Sequence, residues 1–162
     1  MKPNQIFAAM TPERCEEILA TISEESAETT KQVVASAAVA LKFRPQYLLK
    51  QAPAKRAASV RRALARLQSV QLAEELLAVY FLKCKLALLT EWLDLIGLKH
   101  EEGILQDEVI EAPDEKDLEK HVQTFRGDGS EPDRELLLQT FSAQAAIDWP
   151  TLDRLVEAAL PS

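Results

Sequence analysis

The side chains with the widest chemical repertoire in this chain are few. They are two histidines, His100 and His121, two cysteines, Cys15 and Cys84, and an unevenly distributed set of acids and bases. A metal centre needs ligands spaced to share one side of an element. Neither histidine belongs to an HExxH pattern, and an ExxH pair ending at His121 would need an acid where Leu118 stands. The cysteines form no CxxC spacing and fall on apolar helical rows, which predicts buried, unreactive thiols in a reducing compartment. The acid-rich stretch around Asp107, Glu108, Glu111, Asp114 and Glu115 lacks the alternating oxygens and central glycine of a calcium loop. No metal and no cofactor is therefore expected.

Nucleophile and phosphate chemistry find no motif either. GxSxG, GxxxxGKS and GxGxxG are absent, and four scattered glycines cannot form a phosphate cradle. Arg126-Gly127-Asp128 is a three-letter match in a chain with no export signal, and carries no weight. The expectation leans away from an enzyme.

Charge is the strongest anomaly. Nine bases and no acid lie between Glu28 and Glu74, whereas from His100 onward sixteen acids face five bases. Lys55, Arg61, Arg62 and Arg66 gather on one helix, residues 53–68, and form the candidate electrostatic surface. A basic helix is the footprint of phosphate-backbone binding. Against that reading stand a net charge of −7, no aromatic side chain among the bases of residues 53–68, and no glycine turn ahead of the helix. The favoured alternative is that basic and acidic surfaces meet, within one chain or across an interface, where complementary potential selects orientation.

The elements that must position these groups are helical. At 162 residues, 47% hydrophobic and 28% charged, the chain is long enough to bury a substantial core without disulfides. Ser69 to Leu98 carries two apolar rows: Leu72, Leu76, Val79, Leu82, Leu86, Leu89, Leu93 and Ile96, then Leu77, Phe81, Cys84, Leu88, Trp92 and Leu95. That spacing predicts a central helix over 69–97 that other helices must wrap, with Gly97 as its left-handed cap. Phe81, Leu88 and Trp92 are the candidate apolar pocket or interface.

Around this spine the terminators predict further helices: Thr11-Pro12 opens one to about residue 23, Ser23 opens a second to Phe43, and Pro53 opens the basic helix, with Leu67 facing inward. Pro45–Gln51 makes a short turn carrying Tyr47, Leu48 and Leu49 inward. Residues 99–117 read as an irregular acidic crossing in which a short strand has no evident partner. Asp114, Asp133 and Asp148-Trp149-Pro150 begin the last three helices, and Pro161 stops the final one.

The predicted fold class is all-α: one multi-helix bundle spanning 1–162, of about seven helices, with an acidic helical subdomain over 99–162 packed on a core over 1–98. No apolar run approaches the ~18 residues of a membrane span and no targeting segment is visible, so a cytoplasmic protein is expected. The leading functional expectation is an interaction or scaffold module, with itself as a homodimer or with another protein as partner. The alternative is a nucleic-acid-associated regulator using the basic helix, and third stands a helix bundle binding a small apolar ligand or catalysing a reaction without a recognisable motif. No membrane partner is expected.

Overall fold

Proline sets where most of the helices begin. Six of the eight prolines occupy the first position of a helix, where a fixed φ suits the turn and the missing N–H has no intrahelical partner to lose. The structure, a computed structural model, describes residues 1–160; the expected stop at Pro161 lies outside the described residues. About 70% of the chain is helical, and the described residues form ten helices and one small two-stranded sheet, so the all-α architecture is observed.

Two compact units divide the chain, one spanning Lys2–Cys84 and the other running from Lys85 onward together with Met1. The N-terminal unit contains α1 (Pro3–Ala9), α2 (Pro12–Glu25), α3 (Ala27–Ala40), α4 (Pro45–Leu49), α5 (Pro53–Leu64) and α6 (Val70–Val79). There α2 packs on α3 and α5, α3 on α4 and α5, and α1 on α5 and α6. The α2 stripe Cys15, Ile18, Leu19 and Ile22 is buried as its spacing requires, against Ala57, Val60, Ala63 and Leu64 of α5 and the small residues Val33, Val34, Ala37 and Ala38 of α3.

The C-terminal unit contains α7 (Leu86–Leu95), α8 (Glu115–Arg126), α9 (Pro132–Ser142) and α10 (Pro150–Ala158), with the strands β1 (His100–Glu101) and β2 (Ile104–Leu105) after α7. α10 packs on α8 and α9, and α7 on α8. Its centre is a chain of aromatic rings: Trp92 against Phe125 at 5.2 Å and Phe141 at 5.8 Å, and Phe141 against Trp149 at 5.2 Å between centroids.

The single central helix expected over 69–97 is two helices. α6 opens into a wide π turn over Tyr80–Cys84, Lys85 leaves helical geometry at φ −131° and ψ 37°, and α7 begins at Leu86. A π turn shifts the phase of the apolar face. Ala73, Leu76, Leu77, Tyr80 and Phe81 are buried before the break and Leu88, Leu89, Trp92, Leu93 and Ile96 after it, while Glu74, Glu75, Lys83, Glu91 and Asp94 stay exposed. The two apolar rows therefore serve two units in succession.

Other boundaries move for local reasons. α2 runs on to Glu25 because Ser26 is the better cap: its Oγ accepts from Thr29 N at 3.2 Å. α5 ends at Leu64, and a 3₁₀ turn over Leu67–Ser69 rotates Leu67 outward, so it is 64% exposed and not in the core. Tyr47 likewise faces out, and only Leu48 of its trio is fully buried. α1 leaves no signal in the hydrophobic pattern, since seven residues are too few to show a period. The strand in the acidic crossing does have a partner: β2 pairs antiparallel across Glu102-Gly103, whose φ values of 50° and 85° are those of a tight hairpin turn.

Two helix ends share one motif with opposite residue choices. At Gly97, φ 75°, Leu98 N donates to Leu93 O and Gly97 N to Asp94 O. At Lys42, φ 62°, Phe43 N donates to Ala38 O and Lys42 N to Val39 O. Both are Schellman caps, and the second places a lysine where glycine carries no Cβ penalty. Lys42→Gly is expected to raise stability and Gly97→Val to lower it, each by about 1 kcal/mol, read as opposite shifts of the urea midpoint at unchanged slope.

Candidate interaction surface

The acid-free run of bases resolves into two kinds of side chain. Three arginines are consumed by helix ends within the N-terminal unit. Arg56 Nη1 donates to Leu49 O at the end of α4 at 3.3 Å, Arg61 Nη1 to Phe7 O in the last turn of α1 at 3.2 Å, and Arg66 Nη1 to Ala40 O at the end of α3 at 2.9 Å. The last carbonyls of a helix lack intrahelical donors and carry the negative end of its dipole, so a guanidinium there satisfies both. Of the other bases in the run, Lys42, Arg44, Lys50 and Lys55 are exposed and Arg62 is open on its own face of α5.

Of the sequence-derived electrostatic set, Lys55 and Arg62 therefore share an open face of α5, Arg61 is half-buried on the α1 carbonyl, and Arg66 lies past the end of the helix, anchored to α3. The four do not form a single ridge. A charged row on a helix shows where side chains start, whereas the carbonyls that capture them come from α1, α3 and α4.

Beside Arg66 lies an open groove of about 670 Å³ within the N-terminal unit, lined by Ser36, Val39 and Ala40 of α3, by Arg66, Gln68 and Ser69 of the connection, and by Leu72 of α6. None of the lining residues is acidic. Val39 is 69% exposed at its edge, and Leu67, between two lining residues in sequence, is also open to water. From the α3 cap the chain continues through Phe43 and Tyr47, whose exposed rings meet edge to face at 5.4 Å. The result is an apolar and basic surface with no carboxylate in its stretch of sequence, since Glu28 and Glu74 are the flanking acids.

The chain matches no protein-family model, no curated protein and no solved structure.

The apolar candidates lie in the core of the folded chain. Phe81 is 2% exposed and packs edge-on to Tyr80 in the N-terminal unit, while Leu88 and Trp92, 8% and 0% exposed, belong to the C-terminal unit. His100 is structural in its contacts: its Nε2 lies 2.7 Å from Asp94 Oδ1, and Nδ1 accepts from Gly103 N at 3.2 Å, which ties the hairpin to the end of α7. His121 is half-buried on α8. Among the described residues no three histidine, cysteine or acidic side chains converge in a way that could hold a metal ion, and no helix is long and apolar enough to cross a membrane.

Cys15 is wholly buried, and burial pushes its thiol up to about 12, opposed in part by the Arg61 charge. Because the folded value lies above the ordinary thiol value of 9.0, the fold binds this proton more tightly than the unfolded chain does. The associated stability is complete below pH 9 and is lost as pH rises towards 12. A disulfide reagent at neutral pH is expected to leave Cys15 unmodified in the native protein and to react with it after denaturation, while half-buried Cys84 reacts first. Native labelling of Cys15 at the same rate as Cys84 would contradict this.

Periodicity alone does not give the exposure of Phe43, Tyr47 and Leu67. It depends on a cap with no glycine to mark it and on a 3₁₀ turn that a 3.6-residue pattern does not report. Val39 is different, since it falls outside the buried stripe Thr30, Val33, Val34, Ala37, Ala38 and Leu41 and is legible in the spacing.

Proposed function

We propose that this protein is a self-associating interaction module of the cytoplasm, in which apolar contacts bind two copies and segregated charge sets their orientation. One observation carries the reading. Among the described residues the exposed large hydrophobics are Val39, Phe43, Tyr47, Leu67, Ile104 and Val109. The first four lie in the acid-free basic stretch, and the other two lie in the acidic segment of the C-terminal unit beside Asp107, Glu108 and Glu111. Apolar surface left open at two places of opposite charge is what a pair of complementary docking surfaces requires. Two cysteines kept as thiols, one of them buried, are in keeping with a reducing compartment.

Charge segregation follows the unit boundary. Residues 2–84 hold twelve bases and eight acids, and residues 85–162 hold seven bases and eighteen acids. A second copy therefore offers each surface its electrostatic complement. Sedimentation velocity over a concentration series tests the reading: a monomer–dimer equilibrium is expected that weakens as salt shortens the Debye length from ~10 Å at 0.1 M towards ~3 Å at 1 M. A monomer at every concentration in low salt would refute self-association.

A second reading has its own observation. The exposed Phe43 and Tyr47 rings lie among Lys42, Arg44 and Lys50, an aromatic and basic combination on which single-stranded nucleic acid stacks. Fluorescence anisotropy with a labelled oligothymidine at low salt tests it; no binding there removes the nucleic-acid reading.

A further inference from the structure

Building on self-association, we infer that the groove between α3 and α6 receives the acidic loop Ile104–Glu111 of a second copy of this chain.

The groove supplies apolar contact from Val39, Ala40 and Leu72 and a positive charge from Arg66, which Ala40 O holds in place. Lys42 and Arg44 follow α3 directly and are exposed without an ion-pair partner among the described residues. A ligand for this surface needs exposed aliphatic side chains spaced among carboxylates. The loop has that composition: Ile104 and Val109 are 60% and 75% exposed, and Asp107, Glu108 and Glu111 are exposed between and beyond them.

The loop is also held in shape. Its start is fixed by the hairpin and by Gln106, whose N donates to Lys99 O at 3.2 Å and whose Nε2 donates to Ile104 O at 3.0 Å. Its far end is fixed where the buried Trp149 donates through Nε1 to Ile110 O at 3.0 Å. Val109 is therefore presented from a loop ordered before it binds, and the entropy lost on docking is smaller than for a flexible tail. A loop of one copy in the groove of another is a contact between unlike surfaces.

Two double variants test the pairing, both at exposed positions where the fold tolerates a charge: Val39→Glu in the groove with Leu67→Glu beside it, and Glu108→Lys with Val109→Lys in the loop. Each is expected to weaken dimerisation about tenfold or more by sedimentation, with the far-UV circular dichroism spectrum unchanged. Mixing the two variants restores a heterodimer, because one intact groove meets one intact loop. The labelled groove variant, whose loop is intact, is expected to bind the loop variant and not a second copy of itself. A wild-type dimer that neither variant weakens would overturn this pairing while leaving self-association in place. A wild-type monomer would overturn both. An oligothymidine that binds wild type, is lost in the groove variant and dissociates the wild-type dimer would assign the groove to nucleic acid and overturn the inference.

Discussion

Replacing Trp92 by alanine is expected to destabilise the C-terminal unit by about 3–5 kcal/mol, a large fraction of the stability of any domain of this size. The indole is wholly buried and bridges the rings of Phe125 on α8 and Phe141 on α9, so its removal empties the place where α7, α8 and α9 meet. Helices of ten to twelve residues cannot close that space without losing their own packing. Trp92→Phe separates packing from polarity. The Trp92 Nε1 is buried with no hydrogen-bond partner, so phenylalanine leaves a smaller cavity and also removes an unsatisfied donor, two effects of opposite sign. A loss of about 1 kcal/mol is expected for that variant. Urea unfolding followed by Trp149 fluorescence reads both. A loss under about 1 kcal/mol for Trp92→Ala would mean that the ring does not hold the aromatic chain together.

Arg126→Met is expected to cost about 2 kcal/mol, through hydrogen bonds more than through net charge. The guanidinium ties three helices: from α8 it donates Nε and Nη2 to the two carboxylate oxygens of Glu135 on α9 at 2.7 and 2.9 Å, and Nη2 also reaches Leu155 O on α10 at 3.1 Å. Both side chains are about seven-tenths shielded from water, and methionine keeps the stem while leaving the Glu135 carboxylate without its partner. Arg154 gives the control. Its pairs with Glu115 and Glu119 are more than two-fifths exposed on every side chain, and Arg154→Met is expected to change stability by less than about 0.5 kcal/mol. Equal effects at the two arginines, measured by urea midpoint, would show that geometry and shielding do not rank these bridges.

Arg134 extends the same logic. It meets Glu91 on α7 through both guanidinium Nη atoms at 3.0 and 3.1 Å and Glu131 at 2.8 Å, and it lies 4.9 Å from the centre of the Phe125 ring. Its affinity for its proton is raised, chiefly by the Glu91 hydrogen bonds. In the N-terminal unit, by contrast, arginines go mainly to helix carbonyls. Residues 29–73 have no acid of their own, and Arg56, Arg61 and Arg66 meet backbone carbonyls at the ends of α4, α1 and α3.

Helix starts are the most legible feature of the chain, because the signal is chemical and local. Thr11 caps α2 by accepting from Arg14 N at 3.1 Å, Pro12, Pro53 and Pro150 open helices where the sequence places them, and Gly97 takes the left-handed cap that its place after the apolar row requires, whereas Asp133 does not cap α9 but lies inside its first turn, after Pro132. The aliphatic stripe of α2 reaches the core as its spacing dictates. Charge segregation, too, is written in the order of residues.

Tertiary structure decided the rest. Periodicity over 69–98 specifies apolar faces but not phase, so the π turn at Tyr80–Cys84 and the departure of Lys85 from helical angles, which divide the spine, left no separate trace in the pattern. Nor does a run of arginines reveal which of them will meet a carbonyl from a distant helix end: Arg61 finds Phe7 and Arg66 finds Ala40 only because the fold brings those termini to them. Local propensity and composition fixed what each segment is. Which apolar side chains remained in water followed from how the segments compete for a limited interior.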